Sequence, residues 1–389
     1  MVNGKAKAFI EGRKTLWEEL EHFKKNEPRP CLWFHAASLG EFEQGLLIME
    51  AFKKTYPQYA IVVSFFSPSG YERRKNHPVS DFSCYLPIDY KRNAKRFLDT
   101  LKPKVAFFIK YEFWTHFLAQ IKVRQIPLYS ISALFVNSHD YFKPLAYFHR
   151  KVLRQMDHFF VQNELSKQLL HKIGIDQVSV SGDTRFDRVK RTVSNPNKYS
   201  EIATFKGDKP LFVVGSAWKE DMEVLGNFVN NQSQIKILIA PHEVDEKHIN
   251  LITKYIDKPY SRYSKTDDHT TDILILDTVG MLSSIYQYGD FAYIGGAFDD
   301  GLHNILEAVA FGLPVVFGNK GLEKFPEADE LVELGGAIKV NNQQETTEGL
   351  LSLLDDHARK MKSEICLNYV DKKAGATEKI LSFFRDKDL

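Results

Sequence analysis

Cysteine is scarce: Cys31, Cys84 and Cys366 are the only three in 389 residues. They are too few and too far apart for a disulfide framework or a structural zinc site. That usage favours a reducing, cytoplasmic environment. No stretch approaches the roughly 18 uninterrupted apolar residues of a membrane-spanning helix, and no secretory signal is recognisable. Internal repeats and low-complexity tracts are missing too. So is G-x-G-x-x-G after the first apolar run, which argues against a dehydrogenase. What is present is a globular composition, 43% hydrophobic and 26% charged, which excludes a disordered or fibrous chain. The length suits about two domains, each able to bury a core.

The net charge of +2 conceals an asymmetry. Residues 1–190 hold 30 Lys and Arg against 19 Asp and Glu, a balance of +11, whereas the remainder holds 22 against 31. A basic half on an acidic half suggests that the first faces an anionic partner, nucleic acid or a membrane surface. An ordinary solvated surface is the simpler alternative.

Short β-branched and aromatic runs alternate with longer helical patterns. The first half offers strands at Cys31–Ala36, Ile61–Phe66, Val105–Ile109, Pro127–Ile131 and His158–Val161. The second offers Leu211–Val214, Ile235–Ile239, Ile273–Leu276, Phe291–Ile294 and Pro314–Phe317. Strands alternating with helices predict parallel sheets, and this many divide into two doubly wound α/β domains. The polar stretch 191–209 reads as a linker, leaving domains at 1–190 and 210–389. Such domains bind ligands at the carboxyl ends of their strands, in a cleft where they face each other.

Four segments follow strands directly. In His35-Ala-Ala-Ser38-Leu-Gly40-Glu41, the small residues let a ligand approach, with Glu41 in the first helical turn. Spacing alone favours a capping box, Ser38 at the N-cap and Glu41 three residues on. His35 by itself reads as a satisfied core histidine. Lys110-Tyr-Glu112-Phe-Trp114 could contact an anionic sugar or tune a neighbouring acid, or could simply begin a helix. In Ser181-Gly-Asp183-Thr-Arg185-Phe-Asp187, Arg185 could meet a phosphate, or form an interdomain salt bridge to Asp183 or Asp187. In Gly295-Gly296-Ala-Phe-Asp-Asp-Gly-Leu-His303-Asn304-Ile-Leu-Glu307, a helix expected to begin near His303 would offer backbone N–H groups to a phosphate. Glu307, one turn inside, could accept from ribose hydroxyls.

Trp33-Phe-His-Ala-Ala-Ser-Leu-Gly-Glu-Phe42, Ser67-Pro-Ser-Gly-Tyr-Glu72, Gly182-Asp-Thr-Arg-Phe-Asp187 and the Gly295–Glu307 segment occur in that order. Together they resemble the 3-deoxy-D-manno-octulosonic acid (Kdo) transferases of lipopolysaccharide synthesis, and the likeness runs from about Lys5 to the C-terminal helices. The resemblance implies a GT-B glycosyltransferase with two Rossmann-like domains. The acceptor, a lipid A precursor (lipid IVA), would sit on the N-terminal domain, and the donor CMP-Kdo mainly on the C-terminal one. It implies Glu41 as general base, with Glu112 the next candidate. Arg185, Ser216, His242, Gly295, Gly296, His303, Asn304 and Glu307 would handle the donor. Ser38, Gly40, Ser69, Gly70 and Lys110 would meet acceptor or Kdo.

Three departures stand out. Lys110 replaces the first acid of a Glu-x-Glu pattern. Ala240-Pro241-His242 lacks the arginine of Pro-Arg-His. The chain opens Met1-Val-Asn-Gly-Lys-Ala-Lys, without the hydrophobic anchor usual in the family. The implied location is the cytoplasmic face of the inner membrane, peripheral or held by a segment absent from this sequence.

The chemistry fits the residues independently. Inverting transfer needs a base on the acceptor hydroxyl and an electrostatic sink for the departing phosphate. Arg185, His242 and the helix N-terminus at His303 could form that sink without a metal, and no Asp-x-Asp stands at a plausible strand end. No cofactor is expected. The +11 half would meet an anionic membrane surface, and Phe142–Lys151 carries aromatic beside basic residues that suit an interface or an amphipathic helix on the sheet. Nucleic acid is not expected as a partner. The rivals are a UDP-sugar transferase or epimerase of the same fold and a non-enzymatic nucleic-acid binder.

Overall fold

The structure, a computed structural model, describes residues 9–265, 270–299, 301–385 and 387. The opening residues, on which the expectation about an anchor rests, lie outside them, as does Asp300. Two compact units emerge. One combines the described residues up to Asp187 with those from Ala374 onward, and the other spans Arg188–Lys373.

The first unit holds a seven-stranded parallel sheet: β1 (Cys31–Ala36), β2 (Ala60–Phe65), β3 (Phe82–Tyr85), β4 (Val105–Ile109), β5 (Leu128–Ala133), β6 (His158–Val161) and β7 (Val178–Val180). Their spatial order is β3-β2-β1-β4-β5-β6-β7, so the winding reverses between β1 and β4. β1 is buried along its whole length, because helices cover both faces of a parallel sheet and each face needs apolar side chains. Cys31 and Trp33 pack into one core and Leu32 and Phe34 into the other, as the period-2 alternation of a strand requires.

The second unit repeats the plan with β8 (Leu211–Ala217), β9 (Lys236–Pro241), β10 (Tyr260–Arg262), β11 (Ile273–Ile275), β12 (Phe291–Ile294), β13 (Val315–Phe317) and β14 (Ala337–Lys339). The order is β10-β11-β9-β8-β12-β13-β14, all parallel, with the reversal between β8 and β12. Ligands of doubly wound sheets bind at the carboxyl side of such reversals. The ends of β1 and β4 in one unit, and of β8 and β12 in the other, are therefore where a site belongs.

The expected boundaries shift. The stretch 191–209 is not an extended linker: the helix Thr184–Ser194 runs into it, and a second, Ser200–Lys206, buries Ile202 and Phe205. The last helix, Ala376–Arg385, packs on the first sheet rather than the second. Its Ile380 and Phe384 are fully buried with Phe52 and Phe107, and Tyr56 Oη donates to the Phe384 carbonyl at 3.0 Å. Burying two such side chains is worth roughly 1.5–3 kcal/mol each. Asp187 fixes the start of that helix by accepting from the Gly375 and Thr377 amides at 2.5 and 2.6 Å.

Candidate active site

In the first unit, the turn after β1 is a capped helix start. Ser38 precedes the helix Leu39–Thr55, and its Oγ accepts from the Glu41 amide at 3.4 Å. The Glu41 carboxylate reaches back to the Ala37 amide at 2.5 Å. The capping box is real, with the return bond one residue earlier than usual. Glu41 nevertheless stands in unusual electrostatics. Burial, then the charge of Glu112, push its carboxyl up to about 7, against the Ala37 amide and Lys110. A carboxyl poised near neutrality is suited to taking a proton.

Gly40 is exposed, with open space where a side chain would stand. Gly70 is the reverse: a Cβ there would lie 3.0 Å from the Leu39 amide and Phe65, so it seats the helix Pro68–Arg74 against the Ser38 turn. Ser69 Oγ pairs with Ser67 Oγ at 2.8 Å.

At the end of β4, Lys110 adopts φ +63° and donates its amide to the Ile131 carbonyl at 2.8 Å. Its charge lowers the Glu41 carboxyl. Left-handed backbone costs a non-glycine residue of order 1 kcal/mol and collects at functional sites. Two further such residues, Ser132 and Ser216, stand at the ends of β5 and β8. Three strand ends facing the expected ligand side are thus strained.

His35 is the satisfied core histidine the sequence suggested. Its Nε2 accepts from Trp114 Nε1 at 3.0 Å, which leaves the proton on Nδ1 for Ser64, 3.1 Å from the carbonyl oxygen. Glu112 approaches Nε2 at 3.7 Å, but a nitrogen accepting from an indole N–H cannot also carry a proton for an ion pair. Arg185 turns to Asp183: its Nε and Nη2 both lie 2.7 Å from Oδ2, and its amide donates to Oδ1 at 2.9 Å. The aspartate partner of Arg185 therefore lies within the unit. Tyr111, raised by burial and then by Asp183 and Glu41, joins the two groups into one neighbourhood.

In the second unit, β8 and β12 close on each other. A Cβ on Gly295 would sit 2.3 Å from the Ser216 carbonyl oxygen and 2.5 Å from Asp221. Gly296 has φ +96°, and its side-chain space is taken by the Gly301 carbonyl and His303. These glycines serve the chain's own packing. Asp221, missed from sequence, is the hub. Buried completely, it accepts from the Trp218 and Gly296 amides and from Tyr293 Oη, each at 2.9 Å. Burial lifts it to about 6 despite those bonds. The available signal was an acid three residues after Trp218, in a first helical turn.

Trp218 Nε1 donates to His303 Nε2 at 2.9 Å, with the two rings coplanar within 6°. His242 stacks on both, its centroid 4.2 Å from Trp218 and 4.5 Å from His303. Burial, then His242, lowers His303 to about 4, and burial lowers His242 as well. Both shifts favour the neutral ring, which accepts hydrogen bonds and stacks rather than bringing charge to a phosphate.

The helix expected near His303 begins at Leu306 and runs only to Val309. Backbone bonds from Gly301 to Gly296 and from His303 to Gly295 hold the preceding residues in a loop, and Asn304 Oδ1 caps Leu306 N at 3.2 Å. So short a helix supplies little of the dipole expected at His303. Asn304 Nδ2 holds Glu307 Oε1 at 3.1 Å, and burial raises Glu307 against Arg188 and that bond.

Among the described residues, one triad has metal-ligand spacing, Glu243, Asp245 and His248. It is solvent-exposed, and Asp245 is spent capping the helix Glu246–Thr253. No helix among the described residues is long and apolar enough to cross a membrane.

The fold is of the GT-B type. It is shared with UDP-GlcNAc 2-epimerase of Neisseria meningitidis bound to UDP-GlcNAc (TM-score 0.65, 13% identity, 90% of this chain and 98% of that one). MurG of Acinetobacter baumannii aligns with TM-score 0.56 at 15% identity, over 92% and 99% of the two chains. Residues 14–188 match the model of the family described as 3-deoxy-D-manno-octulosonic-acid transferase (kdotransferase). The likeness extends further. The 3-deoxy-D-manno-octulosonic acid transferase of Chlamydophila psittaci is 28% identical over 344 residues, 85% of this chain and 79% of that protein.

Proposed function

We propose that this protein is a glycosyltransferase of lipopolysaccharide synthesis that moves Kdo from CMP-Kdo to a lipid A precursor, with inversion and without a metal. The observation that carries the reading is Glu41. It is a carboxylate at the β1–β4 reversal, raised to about 7 by burial and by Glu112, in a chain similar to Kdo transferases. In the proposed step, Glu41 takes the proton of the acceptor hydroxyl as its oxygen bonds to the anomeric carbon of Kdo. The bond from that carbon to the phosphate oxygen breaks, and CMP departs with the electron pair. The transition state is oxocarbenium-like.

Lys110 holds Glu41 below the pKa that burial alone would set, keeping a share ionised. Gly40 leaves room for the acceptor, with Ser38, Ser69 and Gly70 shaping the turn. Arg185, released in part from Asp183, would meet the leaving phosphate. Ser216, His242 and His303 would bound the nucleotide in the second unit, where Gly295 and Gly296 fix the loop. Asn304 and Glu307 would accept from the ribose. The protein would work at the cytoplasmic face of the inner membrane, against an anionic surface.

The deciding experiment is mass spectrometry of lipid A precursor incubated with CMP-Kdo and the protein. Added mass equal to one or more Kdo residues is expected. Calorimetric binding of UDP in preference to CMP, with no added mass, would favour a UDP-sugar enzyme of the same fold.

A further inference from the structure

We infer that the crossover between β5 and β6 is a docking tip for an anionic lipid bilayer. The segment is held in a defined shape. Arg150 donates from Nε to the Tyr141 carbonyl at 2.9 Å and from Nη2 to the Lys143 carbonyl at 2.8 Å. Val152 and Leu153 are buried in the core. Tyr141 meets Phe113 edge-on at 5.6 Å, and His139 meets Tyr111 at 5.7 Å. Those inward contacts fasten the base of the tip to the loop that carries Glu112.

Its outer side is the unusual part. Leu145 is 97% exposed, Tyr147 74% and Phe148 63%, with Leu145 the most exposed large hydrophobic side chain among the described residues. A loop pinned by two main-chain bonds and an aromatic base keeps three apolar side chains in water. The segment 134–156 that carries them holds the cations Lys143, Arg150, Lys151 and Arg154 against a single carboxylate, Asp140, and Lys143, Lys151 and Arg154 are exposed. Asp140 is already engaged by Lys143 at 2.5 Å.

Exposed apolar side chains on a net-cationic segment complement a surface that is apolar within and anionic at its headgroups. A second copy of the chain fits poorly, because two net-cationic segments would repel. The tip gives the proposed lipid acceptor a route to Glu41 by lateral movement from the bilayer. In that respect the inference rests on the proposed function, but docking can be measured without any transfer, so the two can fail separately.

The test is flotation with vesicles of phosphatidylethanolamine and phosphatidylglycerol, and with vesicles of phosphatidylethanolamine and phosphatidylcholine. Binding is expected only where phosphatidylglycerol is present. The triple variant Leu145→Ser, Tyr147→Ser, Phe148→Ser should partition at least about ten-fold more weakly. The variant Lys143→Glu, Lys151→Glu should lose about five-fold or more per cation at low salt and much less at high salt. If the triple variant melts early, Phe148→Trp decides: its emission, taken as the difference from wild type, should shift to the blue on adding anionic vesicles. Undiminished binding of the triple variant, equal binding to both vesicles, or an unshifted difference emission from Phe148→Trp would overturn the inference. So would a dimer that the triple variant dissociates while its vesicle binding stays intact.

Discussion

Glu41 and Glu307 are both partly buried carboxylates in the first turn of a helix that follows a strand at a sheet reversal. Burial raises both. Their surroundings then diverge. Glu41 has a second acid, Glu112, working on it, opposed by backbone amides and by the Lys110 charge. Glu307 has Asn304 bonded to it and Arg188 opposing the rise. What separates the two is the second acid acting on Glu41 and the side-chain amide bonded to Glu307. The first unit arranges charge at its strand ends, whereas the second fills its strand ends with its own side chains, Asp221, Trp218 and His303.

The largest effect should come from breaking the first half of that contrast. Glu41→Gln keeps the side chain's length and can still bond to backbone at the cap, but cannot take a proton. Transfer should fall ~10²–10⁴-fold, with the protein still folded and CMP still bound. The linkage has a definite sign. A carboxyl at about 7 in the folded protein and 4.5 as its ordinary value binds protons more tightly when folded. Wild type should therefore lose stability relative to Glu41→Gln as pH rises between those values, while its activity climbs through pH 7. Turnover of the variant within a few-fold of wild type would leave the cap as the only role of Glu41.

Much of this arrangement is readable in the sequence, for a physical reason. Central strands such as Cys31–Ala36 and Phe291–Ile294 are covered on both faces, so they appear as near-continuous apolar runs. The strands that carry no such run are β3, β7, β10 and β14, the four sheet edges, each three or four residues long. Strand ends in turn locate Glu41, Lys110, Arg185 and the Gly295 loop. What sequence does not carry is contact across the unit. The bond from Trp218 to His303 joins residues 85 apart, and only folding makes the buried Asp221 a hub. The helix start at Leu306 instead of His303 depends on backbone bonds to Gly295 and Gly296, which no local pattern encodes. The last helix reads as part of the second unit because sequence order, not packing, was available to assign it.

The second unit should break next, and by packing rather than chemistry. Gly295→Ala forces a methyl group to within 2.3 Å of the Ser216 carbonyl oxygen. Displacing backbone rather than a flexible side chain should cost about 3 kcal/mol. The expected reading is an earlier unfolding transition with lost CMP binding in calorimetry. An unchanged melting profile would mean that the β8–β12 contact yields freely.

Arg185→Ala should fall between these two in kind. Loss of a charge-assisted contact to phosphate should cost about 1.5–3 kcal/mol in the use of CMP-Kdo. Asp183 keeps the bond from the residue 185 amide in the variant, so folding should suffer less. Steady-state kinetics beside thermal melting separates the possibilities. A variant that melts early, yet whose folded fraction keeps full activity, would make Arg185 a strut for Asp183.

The smallest effect is expected at Lys110, where the two halves of the argument about Glu41 can be pulled apart. Its φ of +63° penalises lysine and suits glycine. Lys110→Gly relieves that strain but frees the unfolded chain, so the net change in stability should be within about 1 kcal/mol, in either direction. The charge is a different matter. Lys110 pulls the Glu41 carboxyl down against burial and Glu112, so removing it should move the rising limb of the activity profile to higher pH. Lys110→Arg, which keeps the charge and the strain, should leave that limb in place. A limb that stays fixed in the glycine variant would show that the cation does not reach Glu41, and that the strain at the end of β4 serves something other than the base.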